Sequence, residues 1–189
     1  MLFVVDTELF NDQYRVATAR LRGYDYGQNG AYFVTICTQN RVRYFGEMEV
    51  PAQDWNRACL RPTPLANMAA ACWQQIPVRF PFVVLDAFVV MPDHLHGLLL
   101  IDKPTETTPS LYYENRFAPQ HDNLAAVLRG YKAGVTSQAR QAGLAFQWQA
   151  RFHDRVVRND QELEKIRHYI LNNPSRWQHE QFGEEGLFR

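Results

Sequence analysis

The sequence predicts an α+β domain: an antiparallel sheet with helices packed on it. Three observations carry this. Apolar runs of strand length alternate with segments of helical period. Two of those runs, about 82–90 and 94–101, are separated only by the turn signal Met91-Pro92-Asp93, so they return as a hairpin and not through a crossover helix. The 189 residues, 46% of them hydrophobic, suffice for one domain with a sizeable core.

In chain order, "GAYFVTICTQN" (30–40) is rich in β-branched and aromatic residues and reads as a strand. "RPTPLANMAAACWQQIP" reads as a helix, with Thr63 as N-cap, Pro64 at the first helical position and Pro77 at its end. "PFVVLDAFVV" (81–90) is apolar at nearly every position, which predicts a central strand. "HLHGLLLI" follows as its hairpin partner. The polar, proline-bearing stretch 102–122 reads as a loop insertion. Leu124, Val127, Leu128 and Val135 recur at helical spacing within 123–143, and Gly143 suits a C-cap. The segment 146–159 fits a short strand or an extended connection. Asn159 and Glu162 form a capping-box pattern before a helix of about 160–172, which buries Leu163, Ile166 and Ile170. Pro174 disfavours helical geometry at Asn173, so that helix should stop there. One domain, 1–189, is expected, with a core of about 21–177 and a short C-terminal tail.

Composition narrows the class. Three cysteines (Cys37, Cys59, Cys72) show no paired spacing, which argues against a disulfide framework and for a reducing cytoplasm. The opening "MLFVVDTELFND" has no basic leader or cleavage site, and no run approaches a membrane span, so a cytoplasmic chain without membrane association is expected. Lys+Arg and Asp+Glu balance at 20 each, but unevenly: residues 123–176 hold nine basic residues against four acids, and residues 11–43 hold five arginines against two. Such runs are either solvated surface or a basic functional face.

"MPDHLHGLLL" (91–100) places two histidines one residue apart. Side chains at i and i+2 of a strand share a face, so His94 and His96 project together while Leu95 points to the other side. Two imidazoles on one face can share a divalent metal, with one further ligand leaving positions open for substrate oxygens. A lone H-x-H in a strand is also compatible with coincidence.

"MPDHLHGLLLI" resembles the histidine–hydrophobic–histidine (HUH) motif of the single-tyrosine transposases. "GYDYGQNGAYFVTICTQN" resembles their first strand, and "FQWQARFHDRVVRNDQELEKIRHYILNNPSRW" their C-terminal segment, which carries a nucleophilic tyrosine on a helix. The match runs from about Leu21 to Trp177, interrupted by 102–122. The chain length and "YILNNPSRW" look most like the REP-associated tyrosine transposases. The resemblance implies a ferredoxin-like sheet, the HUH endonuclease fold. It implies nicking and joining of single-stranded or hairpin DNA through a 5′-phosphotyrosine. It also implies a Mg²⁺ or Mn²⁺ ion, no small-molecule cofactor, and a monomer or homodimer.

Carried over residue by residue, Tyr169 is the nucleophile and His94, His96 and Asn173 are the metal ligands, the last because it stands four positions after the tyrosine. That spacing puts Tyr169 and Asn173 on one face of a continuous helix. Tyr169 lies off the Leu163/Ile166/Ile170 stripe, flanking the core. An Asn before Pro is equally a helix-ending residue. The family usually has Asn where this chain has Asp93. A carboxylate there could raise histidine basicity, recruit another cation or weaken activity.

Further candidates are softer. Arg20, Arg22, Tyr24 and Tyr26, with Tyr32 and Arg41 nearby, combine stacking and phosphate-binding groups suited to DNA, or pack as ordinary strand aromatics. Lys132 stands where the family often has a lysine facing DNA, and surface solubility explains it as well. Arg151, Arg155 and Arg158 continue the basic run as DNA contacts. His153 and Asp154 act behind the metal ligands, on DNA or in structure. A DNA-binding module without turnover is the main competing function. A small-molecule metallohydrolase is another, although the third alternating position a histidine triad needs, residue 98, is leucine.

Overall fold

The computed structural model describes residues 24–104 and 121–181. Arg20 and Arg22 lie outside the described residues, as does most of the expected insertion.

β1 (Gly30–Cys37) is followed by a two-stranded ribbon, β2 (Gly46–Glu49) and β3 (Cys59–Pro62). Then come α1 (Pro64–Gln74), a short α2 (Ile76–Arg79), β4 (Val83–Met91), β5 (His94–Ile101), α3 (Leu124–Gln141), β6 (His153–Val156), α4 (Asp160–Leu171) and α5 (Asn173–Gln181). The main sheet has the order β4-β5-β1-β6 and every pairing in it is antiparallel. The path β1–α1–β4–β5–α3–β6 is thus the βαββαβ, ferredoxin-like arrangement. No helix among the described residues is long and apolar enough to cross a membrane.

The two faces of this sheet are built differently. Val34, Ile36, Leu95, Leu99 and Ile101 point to one face and meet Leu65, Ala69 and Trp73 of α1 and Val127, Leu128 and Val135 of α3. Phe33 and Leu98 point to the other face, where α4 lays Ile166, Tyr169 and Ile170 over them. Trp73 is fully buried, stacks on Phe88 with ring centroids 4.8 Å apart, and lies across Gly97. A Cβ at Gly97 would come within 2.3 Å of the indole, so only glycine lets α1 approach β5 this closely.

Most helix signals operate as read. Thr63 Oγ1 accepts from Ala66 N, and Asn123, not read from sequence as a cap, accepts from Ala126 N through its Oδ1. Gly143 takes the left-handed conformation (φ 69°) that closes α3. The capping box of α4 is displaced by one residue: Asn159 Oδ1 accepts from Glu162 N, but Glu162 Oε2 accepts from Arg158 N.

Four expectations need correction. The strand at 83–91 is an edge strand, not a central one. It is apolar on both sides because helices cover both faces, and hydropathy cannot distinguish that from burial between two strands. Its edge carries an irregularity between Leu85 and Phe88 and a charge at Asp86 held by Arg167 of α4, features that discourage strand addition. Pro77 does not simply stop α1, because it sits in the first turn of α2, where its missing N–H is harmless. The β2–β3 ribbon has no counterpart in the sequence reading. Residues 173–181, expected as the helix-free end of the core and the start of the tail, form α5. Pro174 prevents α4 from continuing, yet is well placed in the first turn of a new helix.

Candidate metal and tyrosine site

The site is assembled on the α4 face of β5. The hairpin turn that precedes it is fixed from outside: Thr38 N and Oγ1 both donate to Asp93 O, and Phe45 N donates to Pro92 O. His94 and His96 then emerge on one face, both buried. Their Nε2 atoms are 3.1 Å apart. Each Nδ1 has its own partner, Asp93 Oδ1 at 2.6 Å for His94 and Thr35 Oγ1 at 2.8 Å for His96. If each Nδ1 carries the proton it donates to these oxygens, the two Nε2 lone pairs face one another and require a proton or a cation between them.

A cation fits the spacing. Two ligands about 2.1 Å from one ion and at right angles to it are about 3 Å apart. Burial, then the neighbouring His94, then Arg41 hold the His96 imidazole well below the usual histidine range, so it is neutral, the form that ligates. Among the described residues no three His, Cys, Asp or Glu side chains are grouped to hold a metal, so a third donor from these residues would be of another type.

Asn173, expected from sequence in this role, carries an amide oxygen of the type that ligates hard cations. It is fully buried, and among the described residues no hydrogen bond reaches its Oδ1. The expected continuous helix from Tyr169 to Asn173 is not present: α4 ends at Leu171 and Asn173 opens α5. Asn173 instead shares a helix face with Trp177, one turn on. The Trp177 ring stacks on His94 at 5.8 Å.

Tyr169 Oη lies 3.4 Å from His96 Nε2. The ring is buried against Phe33 (6.0 Å) and His96 (5.2 Å), so it belongs to the small α4-face core and does not flank it. The Arg176 guanidinium stands 6.0 Å from its centroid. Phe33 also stacks on His96 at 5.3 Å, bracing the imidazole from below. Leu98, where a third histidine would stand, is part of this packing.

Asp93 Oδ1 holds His94, and its Oδ2 is 3.2 Å from Arg41 Nε. A carboxylate on the far nitrogen of a ligating histidine fixes the ring and raises its basicity.

The remaining candidates divide. His153 pairs with Thr35, which pairs with His96, so the three share the α4 face, with His153 exposed at the β6 edge. Asp154 pairs with Val34 and falls on the opposite face, away from the histidines. Lys132 Nζ donates to Gln149 O and Arg151 O and sits over Trp148, which makes it a brace for that segment; burial lowers its pKa. Tyr26 is core, packed against Tyr24 and Tyr32, and this cluster lies by the Gly30 end of β1, the opposite end from the histidines. It is not an open stacking platform. Arg155 pairs with Glu162. Arg151 is exposed with φ 68°, and Arg158 is exposed before α4.

Thr35, Phe33 and Trp177 were not singled out from sequence, and Arg41 was read only among the candidate DNA contacts near Tyr24 and Tyr26, not beside the histidines. One signal was available for the first two: the odd positions of β1, once registered against β5, share the face of His94 and His96.

No family model matches the sequence. A Haemophilus influenzae protein described only as uncharacterized is 34% identical over 168 residues, covering 86% of this chain and 89% of its own. A second H. influenzae protein, described as a "Putative REP-associated tyrosine transposase", is 24% identical over 152 residues, 79% of this chain and 73% of its own. Among solved structures, a REP-associated tyrosine transposase bound to a REP hairpin superposes with a TM-score of 0.54 at 19% identity, covering 89% of this chain and 76% of that one.

Proposed function

We propose, from the premise that this chain belongs with the REP-associated tyrosine transposases, that it is a metal-dependent enzyme that nicks and rejoins single-stranded, hairpin-bearing DNA. Kinship supports a transposase acting on REP-type DNA. The finer mechanism rests on one observation: Tyr169 Oη stands 3.4 Å from an imidazole nitrogen that is itself 3.1 Å from its partner's.

His94, His96 and Asn173 would hold a Mg²⁺ or Mn²⁺ ion, which supplies stabilisation of charge on the phosphoryl oxygens. Asp93 and Thr35 keep the two imidazoles turned with Nε2 inward. Phe33 and Trp177 stack on the rings and hold them against rotation. Tyr169 Oη gives up its proton and bonds to phosphorus. The P–O3′ bond breaks, and O3′ takes up a proton to become a free hydroxyl. One phosphodiester is exchanged for another, so the reverse step rejoins DNA without ATP. Histidines and tyrosine come from one chain, which favours attack in cis.

Incubation with labelled hairpin oligonucleotides and Mn²⁺, resolved on a denaturing gel, tests this. A covalent protein–DNA band should form, vanish with EDTA, and be absent from Tyr169→Phe and His96→Ala. An adduct that survives Tyr169→Phe sinks the nucleophile assignment. Binding without any adduct points to a non-catalytic DNA-binding module.

A further inference from the structure

We propose that Arg41 is a phosphate-binding residue of this site, gripping the DNA backbone at the bond to be cut. The inference rests on the nicking function above.

Arg41 follows β1 on an unusual turn. Asn40 and Arg41 both adopt left-handed backbone (φ 53° and 54°), a region that non-glycine residues seldom occupy. The turn brings the guanidinium back toward the end of β1. There Nε lies 3.2 Å from Asp93 Oδ2 and Nη1 donates to Cys37 Sγ at 3.0 Å. Among the described residues no partner is recorded for Nη2, and 48% of the side chain is exposed. Nε and Nη1 are therefore held, Nη2 is left for a further acceptor, and about half of the side chain is open to solvent.

The anchor sets the position. Asp93 bridges Arg41 to His94 through its two oxygens, so the guanidinium stands one carboxylate away from a proposed metal ligand. Cys37 pairs with His94 across the β1–β5 ladder, on the same face. A thiol is a weak acceptor for an arginine N–H, so the contact orients the fork without satisfying it. The three proposed ligands are neutral side chains, and the Asp93 carboxylate beside His94 is already bonded on both oxygens. A phosphodiester entering here meets an arginine whose planar fork suits two phosphate oxygens. A purely structural role, neutralising Asp93, needs only the Nε contact, and Nη2 is not spent on it.

The test uses the full chain. The nick is first mapped on a hairpin oligonucleotide in Mn²⁺. Binding is then measured in the Tyr169→Phe background, with Arg41 intact, Arg41→Gln and Arg41→Lys, from low to high salt. Each protein meets the natural strand and a strand with one uncharged methylphosphonate at the cleaved position. The proposal expects Arg41→Gln to weaken binding of the natural strand about tenfold and to reduce the slope of log K against log salt by about 0.7, the value for one single-strand phosphate contact. The methylphosphonate should weaken the arginine protein but add little to Arg41→Gln, and lysine should restore part of the loss. If the two losses multiply in full, or the salt slope does not move, Arg41 does not grip that phosphate and only this inference fails. If the unmutated chain forms no adduct at all, the nicking function fails and takes this inference with it.

Discussion

The two faces of the central sheet make opposite use of the same strands. On the α1/α3 face, β5 contributes Leu95, Gly97, Leu99 and Ile101 to a large apolar core in which Trp73 is fully buried. On the α4 face, the alternate residues His94, His96 and Leu98 meet a much smaller cluster, and the first two keep their polar atoms directed at partners. One face supplies most of the burial that stabilises the domain. The other tolerates buried imidazoles because that stability is provided elsewhere.

If that division holds, damage on each face should read out differently. The largest effect belongs to Tyr169→Phe: the covalent adduct on a denaturing gel should fall by at least about a thousandfold, because the nucleophilic atom itself is removed. Melting temperature should change little. Thr35→Val removes the oxygen that holds His96 Nδ1. Affinity for Mn²⁺, followed by paramagnetic resonance, should drop about 10- to 100-fold. Gly97→Ala strikes the other face and should lower stability by about 1–3 kcal/mol, read from urea unfolding, through displacement of Trp73. Equal loss of metal affinity in Gly97→Ala and Thr35→Val would dissolve the distinction between the faces.

The smallest expected effect is a dependence on pH. His96 is held neutral in the folded metal-free chain, mainly by burial. As pH falls below the ordinary histidine value, near 6.5, the unfolded chain takes up a proton that the folded one resists. Stability attributable to His96 is therefore full above that value and declines below it. Denaturant titrations of wild type and His96→Gln at pH 7.5 and 5.5 should show the wild type losing more on acidification, and parallel losses would contradict it.

Local signals made much of this legible in the sequence. The strand period placed both histidines on one face, the caps fixed the starts of α1 and α4, and the resemblance singled out Tyr169 and Asn173. What escaped depends on contacts between distant segments. Thr35 and His96 are 61 positions apart, and Asp86 is tied to Arg167 across 81. No period in the chain reports such pairings. The edge position of β4 was hidden because helices cover both its faces. α5 was hidden because one proline can both end a helix and begin another. Tyr26 looked like a DNA contact by composition and Lys132 by the resemblance, yet Tyr26 is buried in the core and Lys132 Nζ donates to two carbonyl oxygens.

The short run 94–98 leaves almost no room for substitution. His94 and His96 are confined by the partners at their ring nitrogens, Gly97 by an indole that forbids even a methyl group, and Leu95 and Leu98 by close packing on opposite sides. A saturation library over these five codons should therefore be nearly barren, with neither face offering a neutral path. Five consecutive positions, each held by a different neighbour, make this run the part of the chain least able to absorb a change one residue at a time.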